Sequence, residues 1–322
     1  MNQKIIVVVM IFLFGSIGSV LFLSYQSEEI QSEEIQSEEI QSEEIQSEEI
    51  QSDPVKIIKT DDAGILQSKT VLTRLNTTSL FQVYVNEDAY TIDSEGMKSY
   101  SSWVLELEPK NYEIYEEIHN ISNAAVIYPI FTAAAYSEPG FYTYYRGECD
   151  QEFHGVLFRD DDCLSVKVST SYEINFVSSG SGANVLWLLG YDIITDIDVH
   201  KNPDILLKYE KIILLHNEYV TSEEFNAITS HPNVVYLYPN ALYAEISFDE
   251  ESRTISLIRG HNYPEITIRN GFDWEFDNSS DEYDVLCNDM NFSKIDNGWM
   301  LNCYPENIMH MDKELLKQIR EF

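Results

Sequence analysis

Positive charge is what this chain has least of. Lys and Arg number 20 against 55 Asp and Glu, a formal net charge of −35. A nucleic-acid backbone needs a basic face, so nucleic acid is excluded as a partner, as is docking on anionic lipid head groups. Phosphate-cradling loops are missing too: there are 13 Gly, and none fall into G-x-G-x-x-G or a P-loop. No G-x-S-x-G elbow surrounds a serine, and no cysteine lies in G-x-C-x-G, so neither type reads as a nucleophile. The four cysteines lack C-x-x-C clustering and have no histidine beside them at ligand spacing, which argues against a zinc site. What is present suits a folded domain: 44% hydrophobic and 12% aromatic residues.

Residues 5–23 carry no charge and follow Lys4, long enough to cross a bilayer as a helix. The competing signal-peptide reading expects a shorter apolar run and an A-x-A-like cleavage site. Residues 1–24 are therefore expected to be a transmembrane signal anchor, with the C-terminal part outside the cytoplasm because the only nearby positive charge precedes the segment. QSEEI then repeats five times from Gln26 to Ile50. A five-residue period turns each Ile by about 140° around a helix, so no apolar stripe forms, and residues 25–53 read as an acidic spacer. With the ten repeat glutamates and Lys4 set aside, the remainder has 45 acids against 19 bases. Residues 54–322 are the expected extracytoplasmic domain.

The cysteines fall into two local pairs, Cys149 with Cys163 and Cys287 with Cys303, the simplest assignment for disulfides outside a membrane. Four N-x-S/T triplets, beginning at Asn76, Asn120, Asn278 and Asn291, are candidate glycan sites of a glycoprotein.

Short apolar runs from Val55 to Leu107 predict strands, and a short helix is expected at 110–121, followed by an aromatic stretch from Ile127. From about 170 to 270 apolar strands alternate with helices: strands at 173–177, 193–199, 211–215 and 234–238, with helices at 183–190, 204–209 and 222–230. That alternation predicts a parallel sheet covered on both faces, flanked by β-rich segments. A hairpin follows, with Asp249-Glu-Glu-Ser252 at its turn, and a terminal helix near Asp312–Arg320. Asp196-x-Asp198-x-His200 reads as a carboxylate-rich strand end, and Arg259-Gly-His261-x-Tyr263 as a segment that could line a site.

Polar residues gather after two of these strands: His216-Asn217-Glu218-Tyr219-Val220-Thr221, and Pro239-Asn240-Ala241-Leu242-Tyr243. In a parallel sheet both sets emerge at the carboxyl edge, where sites form. HNEYVT and YPNALYAEI resemble two segments of the C-terminal, glutamine-amidotransferase-like domain of the large subunit of N,N-dimethylformamidase. The resemblance covers about 170–265. It implies a flavodoxin-like α/β fold of the class I glutamine-amidotransferase type without the cysteine nucleophile, and a mononuclear iron held by two tyrosines and a glutamate. Carried over by position, Tyr219 and Tyr243 are the candidate iron ligands, the third being open among Glu245, Glu265 and Glu306. Glu218, His216 and Asn240 become candidate catalytic residues of a metal-assisted hydrolase of small amides.

A second class stays open: a non-catalytic cell-envelope recognition or structural module on the same scaffold. Val220 and Tyr238-Pro239, where the family has an aromatic residue and paired glycines, favour it; the Glu218-Tyr219 pair favours the enzyme. In that reading Glu218 and His216 cap the following helix, and Tyr219 and Tyr243 are ordinary half-buried aromatics.

Overall fold

The structure, a computed structural model, describes residues 56–57, 71–75, 79–92, 96, 98–100, 103–149, 152–153, 156–157, 160–168, 179–282, 286–305 and 308–322. The acidic repeat, the strand expected at 173–177, Asn76 and Glu306 lie outside them. The transmembrane expectation needs correction: among the described residues no helix is long and apolar enough to cross a membrane. Segment 5–23, on which that expectation rests, also lies outside them.

The chain is mixed α/β. Its main sheet has six strands in the order Asp192–Thr195, Ala124–Tyr128, Lys211–Leu214, Val234–Tyr236, Gly298–Leu301 and Phe292–Ile295. All neighbours are parallel except the last pair, an antiparallel hairpin. The three central strands, AAVIY, KIIL and VVY, are buried along their whole length. They lack polar alternation because both faces are covered. Val126, Ile213 and Val235 face a core shared with Leu186 of helix Gly180–Leu188 and Leu315 of helix Lys313–Glu321. Ile127, Ile212 and Val234 face a second core with Val199, Leu206 and Ile228. Each buried aliphatic side chain contributes about 1.5–3 kcal/mol. The one cation in these strands, Lys211, sends Nζ to the carbonyls of Ile319 and Arg320 at 2.9 Å. Burial lowers its pKa to about 8.

This sheet is wider than the 170–270 core expected, because Ala124–Tyr128 and the hairpin 292–301 belong to it. A second correction concerns 193–199. The strand stops at Thr195, whose hydroxyl accepts from the Asp198 amide while Asp198 accepts from the Thr195 N–H, and a helix begins at Asp196. This reciprocal capping ends the strand. Helix Ser222–Ser230 starts the same way: Thr221 and Glu224 form the box, so neither Glu218 nor His216 caps it.

A second sheet joins Ser165–Lys167, Thr254–Arg259, Ala244–Asp249 and Tyr219–Val220, with Tyr219–Val220 parallel to Ala244 and Glu245. The residues between strand Lys211–Leu214 and Tyr219 therefore pass from one sheet to the other. An antiparallel sheet of Lys56–Ile57, Val71–Leu75, Phe81–Val85 and Trp103–Leu107 flanks this core, as the short apolar runs predict. Both cysteine pairs are disulfides, Cys149–Cys163 and Cys287–Cys303.

Candidate functional site

The crossing from sheet to sheet makes the site. After Leu214 the chain bends sharply, the Asn217 amide donating to the Leu215 carbonyl at 2.7 Å. Ser179 Oγ accepts from the His216 amide at 3.1 Å, and Thr132 Oγ1 accepts from the amides of Glu218 and Tyr219 at 3.0 and 3.1 Å. The second polar loop is zipped alongside: Leu242 N–H donates to the Asn217 carbonyl, and Tyr243 and Ala244 N–H donate to that of Glu218. Leu242 adopts a φ of 57°, a left-handed conformation that costs a branched residue energy. Asn278 supports the bend, its Nδ2 donating to the carbonyls of Pro239 and Ala241. Asn278 is fully buried, so its N-x-S triplet is not open to a glycan in the folded domain. Asn291 is exposed and Asn120 half-buried.

Glu218 is the centre, with 0% of its surface exposed. Tyr136 donates its hydroxyl to Oε2 at 2.7 Å, and Tyr142 reaches Oε1 at 3.4 Å while donating to Tyr136 Oη at 2.9 Å. Their rings stack at 4.4 Å and are half-buried, so they separate Glu218 from solvent. His261 Nε2 lies 2.6 Å from Oε1, a charge contact with the N–H off-axis since that nitrogen has no aligned acceptor. Its Nδ1 meets Glu282 Oε1 at 3.0 Å. His216 Nε2 stands 3.4 Å from Oε2, its ring stacked on Tyr238 at 4.6 Å.

Electrostatics follow from these partners. Burial opposes the Glu218 charge, but the His261 imidazolium and the bonds from both histidines hold its pKa down to about 2. Burial likewise opposes the imidazolium, and Glu218 and Glu282 together raise His261 to about 9. Burial disfavours the Glu282 carboxylate too, yet His261, Tyr243 and Arg269 lower its pKa. Burial first, and the Glu218 charge with it, keep Tyr136 and Tyr142 well above the ordinary phenol range.

A strained turn delivers His261. Gly260, His261 and Asn262 have φ of 127°, 48° and 66° in succession, the kind of backbone run that clusters at functional sites. Gly260 packs so closely on Ala244 that a Cβ would come within 2.9 Å of it.

The two expected iron ligands engage different partners. Tyr219 points its hydroxyl at Tyr145 Oη, 3.4 Å away, whereas Tyr243 donates to Glu282 Oε2 at 3.0 Å. His261 packs against both rings, at 5.4 and 4.5 Å. Asn240 does join the site, its side-chain amide 3.2 Å from His216 Nε2. Of the open third-ligand candidates, Glu245 accepts from Ser222 and Glu265 is exposed. Reading the sequence missed Tyr136, Tyr142 and Thr132, which join Glu218 across 76 to 86 residues of chain, and Glu282, which meets His261. The tyrosine-rich stretch from Ile127 was the only signal for the first three.

Among the described residues no group of three His, Cys, Asp or Glu side chains is placed to hold a metal ion. The phenols extend the donor set. Tyr136 Oη lies 2.7 Å from Glu218 Oε2 and 2.9 Å from Tyr142 Oη, and Tyr142 Oη lies 3.4 Å from Glu218 Oε1, all as hydrogen-bond contacts. Carboxylate and phenol oxygens are hard donors, the type a compact, highly charged cation takes. Compared with known proteins, the chain matches no family model and no curated sequence.

Proposed function

We propose that the domain is a metal-assisted hydrolase of small amides on a flavodoxin-like, amidotransferase-type scaffold. The observation that carries this reading is the oxygen triad of Glu218, Tyr136 and Tyr142 behind a half-buried aromatic rim. The family resemblance supplies iron as the ion, and the triad transfers its ligand set from Tyr219 and Tyr243 to Tyr136 and Tyr142, with Glu218 as the carboxylate. Bound there, ferric iron would polarise an amide carbonyl and lower the pKa of a coordinated water.

The chain's own groups have separate tasks. Thr132 fixes the backbone of Glu218 and so the direction of its carboxylate. The phenol rim excludes bulk water, which strengthens every charge interaction behind it. His261, held by Glu282, keeps Glu218 anionic and ready for a cation. Hydrolysis adds water across the carbonyl carbon–nitrogen bond. The hydroxyl stays on carbon and the proton leaves on the amine, and His216, beside Glu218, is the group placed to pass it.

The rival reading, a non-catalytic module, has its own support: both oxygens of Glu218 already meet protein donors and none of its surface is open. An amidase assay separates the two. Iron-loaded full-length protein should release amine from short-chain amides, and Glu218→Gln should lower the rate by at least about a hundredfold. A well-folded, iron-loaded wild type without turnover on any short amide would leave the module reading.

A further inference from the structure

Three N-x-S triplets lie among the described residues, and the structure sets them apart. Asn278 is fully buried; its Nδ2 gives both hydrogens to the carbonyls of Pro239 and Ala241 at 3.1 and 3.0 Å, while Oδ1 accepts from Asn270 at 2.7 Å. A sugar on that nitrogen would replace one of those hydrogens and leave a buried carbonyl unpaired. Asn120 is half-buried and engaged at both ends. Its Nδ2 donates to the Gly190 carbonyl at 3.2 Å, and Oδ1 accepts from the Ser122 N–H and Oγ at 3.1 and 3.2 Å. Asn291 differs. Only its main chain is tied, the N–H donating to Asn302 Oδ1 at 2.8 Å and the carbonyl accepting from the Asn302 N–H at 3.1 Å. The residue itself is exposed.

Strand geometry supplies the other half of the triplet. Side chains alternate across a strand, and at the start of Phe292–Ile295 Phe292 is buried while Asn291 before it and Ser293 after it are both exposed. This strand is the outermost of the main sheet and, among the described residues, pairs only with Gly298–Leu301. A large hydrated group at its start therefore meets no neighbouring strand. The Cys287–Cys303 disulfide closes the loop that holds Asn291, and disulfides belong to the oxidising compartments in which N-glycans are added. We propose that Asn291 carries an N-linked glycan. The donor is an oligosaccharide on a lipid pyrophosphate. Nδ2 bonds the anomeric carbon as the carbon–oxygen bond to pyrophosphate breaks, the amide loses one proton, and the lipid pyrophosphate leaves. Ser293 provides the recognition hydroxyl of the triplet. The proposal is independent of the hydrolase reading.

The test is peptide mass mapping of the full-length chain isolated from its native cells. After reduction, trypsin cutting behind Arg269 and Lys294 leaves Asn278 and Asn291 on one peptide, so fragmentation assigns the sugar between a buried and an exposed triplet. The sugar mass should fall on Asn291 in most copies and on Asn278 in none. Ser293→Ala, expressed in the same cells, keeps the asparagine and removes the hydroxyl. It should lower occupancy of Asn291 at least about tenfold, while the melting temperature stays within about 4 °C. The native map decides even where that variant fails to fold. An unmodified Asn291, a sugar on Asn278, or a sugar on Asn291 that survives Ser293→Ala would overturn the proposal.

Discussion

Two groups of carboxylates among the described residues have none of their surface exposed, and their surroundings push their pKa values in opposite directions. Glu218 lies between sheets and is ionised; Asp196 and Glu224 lie beneath helices Asp196–Lys201 and Ser222–Ser230, equally shut from solvent. Burial drives the pKa of Asp196 well above the carboxylate range despite amide bonds from Phe131 and Ile197, with Asp198 adding to the rise. Burial does the same to Glu224, and the Asp196 charge pushes it further. One oxygen of Glu224 accepts from Thr221 and the other has no partner. The lesson is that the partner, rather than burial, sets the charge. Glu218 has an imidazolium at 2.6 Å, whereas among the described residues no ion pair forms with Asp196 or Glu224.

The largest effect should come from deleting the cation that separates the two regions. His261→Ala leaves Glu218 and Glu282 buried without it, and breaking such a pair costs about 3–5 kcal/mol, measured by urea unfolding at pH 7. Adding Glu218→Gln should recover part of that loss, and a loss below about 1 kcal/mol would deny the ion pair its role. The pH dependence has a defined sign. The raised pKa of His261 means its share of stability is whole below its ordinary 6.5 and disappears as pH climbs through about 9. For Glu218 the share is present above its ordinary 4.5 and is lost as pH falls toward about 2.

The second group should respond in the opposite direction. A carboxyl with a raised pKa costs the folded state increasing stability as pH rises above its ordinary 4.5. Glu224→Gln keeps the shape and removes that titration. It should stabilise the domain at pH 8 by about 1–2 kcal/mol and flatten thermal stability between pH 5 and 8. A variant less stable than wild type at pH 8 would contradict the raised pKa of Glu224.

The smallest effect concerns how each region is fastened. Thr221→Ala removes the cap shared with Glu224 and should cost about 1 kcal/mol of stability without changing ligand affinity at the Glu218 site. A drop in that affinity would mean the two regions are coupled.

The same contrast explains what was legible beforehand. Strands Lys211–Leu214 and Val234–Tyr236, the hairpin from Ala244 to Arg259 and helix Ser222–Ser230 are marked by local periodicity and turn chemistry, and the structure has each of them. The two disulfides were legible from spacing. Strand Ala124–Tyr128 was hidden because its apolar run merges into the aromatic stretch after it. The helix at Asp196 was hidden because Ile193, Ile194, Ile197 and Val199 read as one strand, although Thr195-x-x-Asp198 carries the capping spacing. The polar residues after the strands were legible as an edge, and the structure does gather His216, Glu218 and Asn240. Their decisive partners were not. Tyr136, Tyr142, Thr132 and Glu282 reach Glu218 or His261 only through tertiary packing, which leaves no periodic trace in a single chain.

The most direct test of the oxygen triad is a spectroscopic titration of the full-length protein with ferric ion delivered from a weak chelate. One equivalent should bind with release of phenol protons and the appearance of a visible phenolate-to-metal band. The band should vanish in Tyr136→Phe and Glu218→Gln and persist in Tyr243→Phe. Absence of binding by folded wild type, or a band that survives Tyr136→Phe and is lost in Tyr243→Phe, would contradict the account.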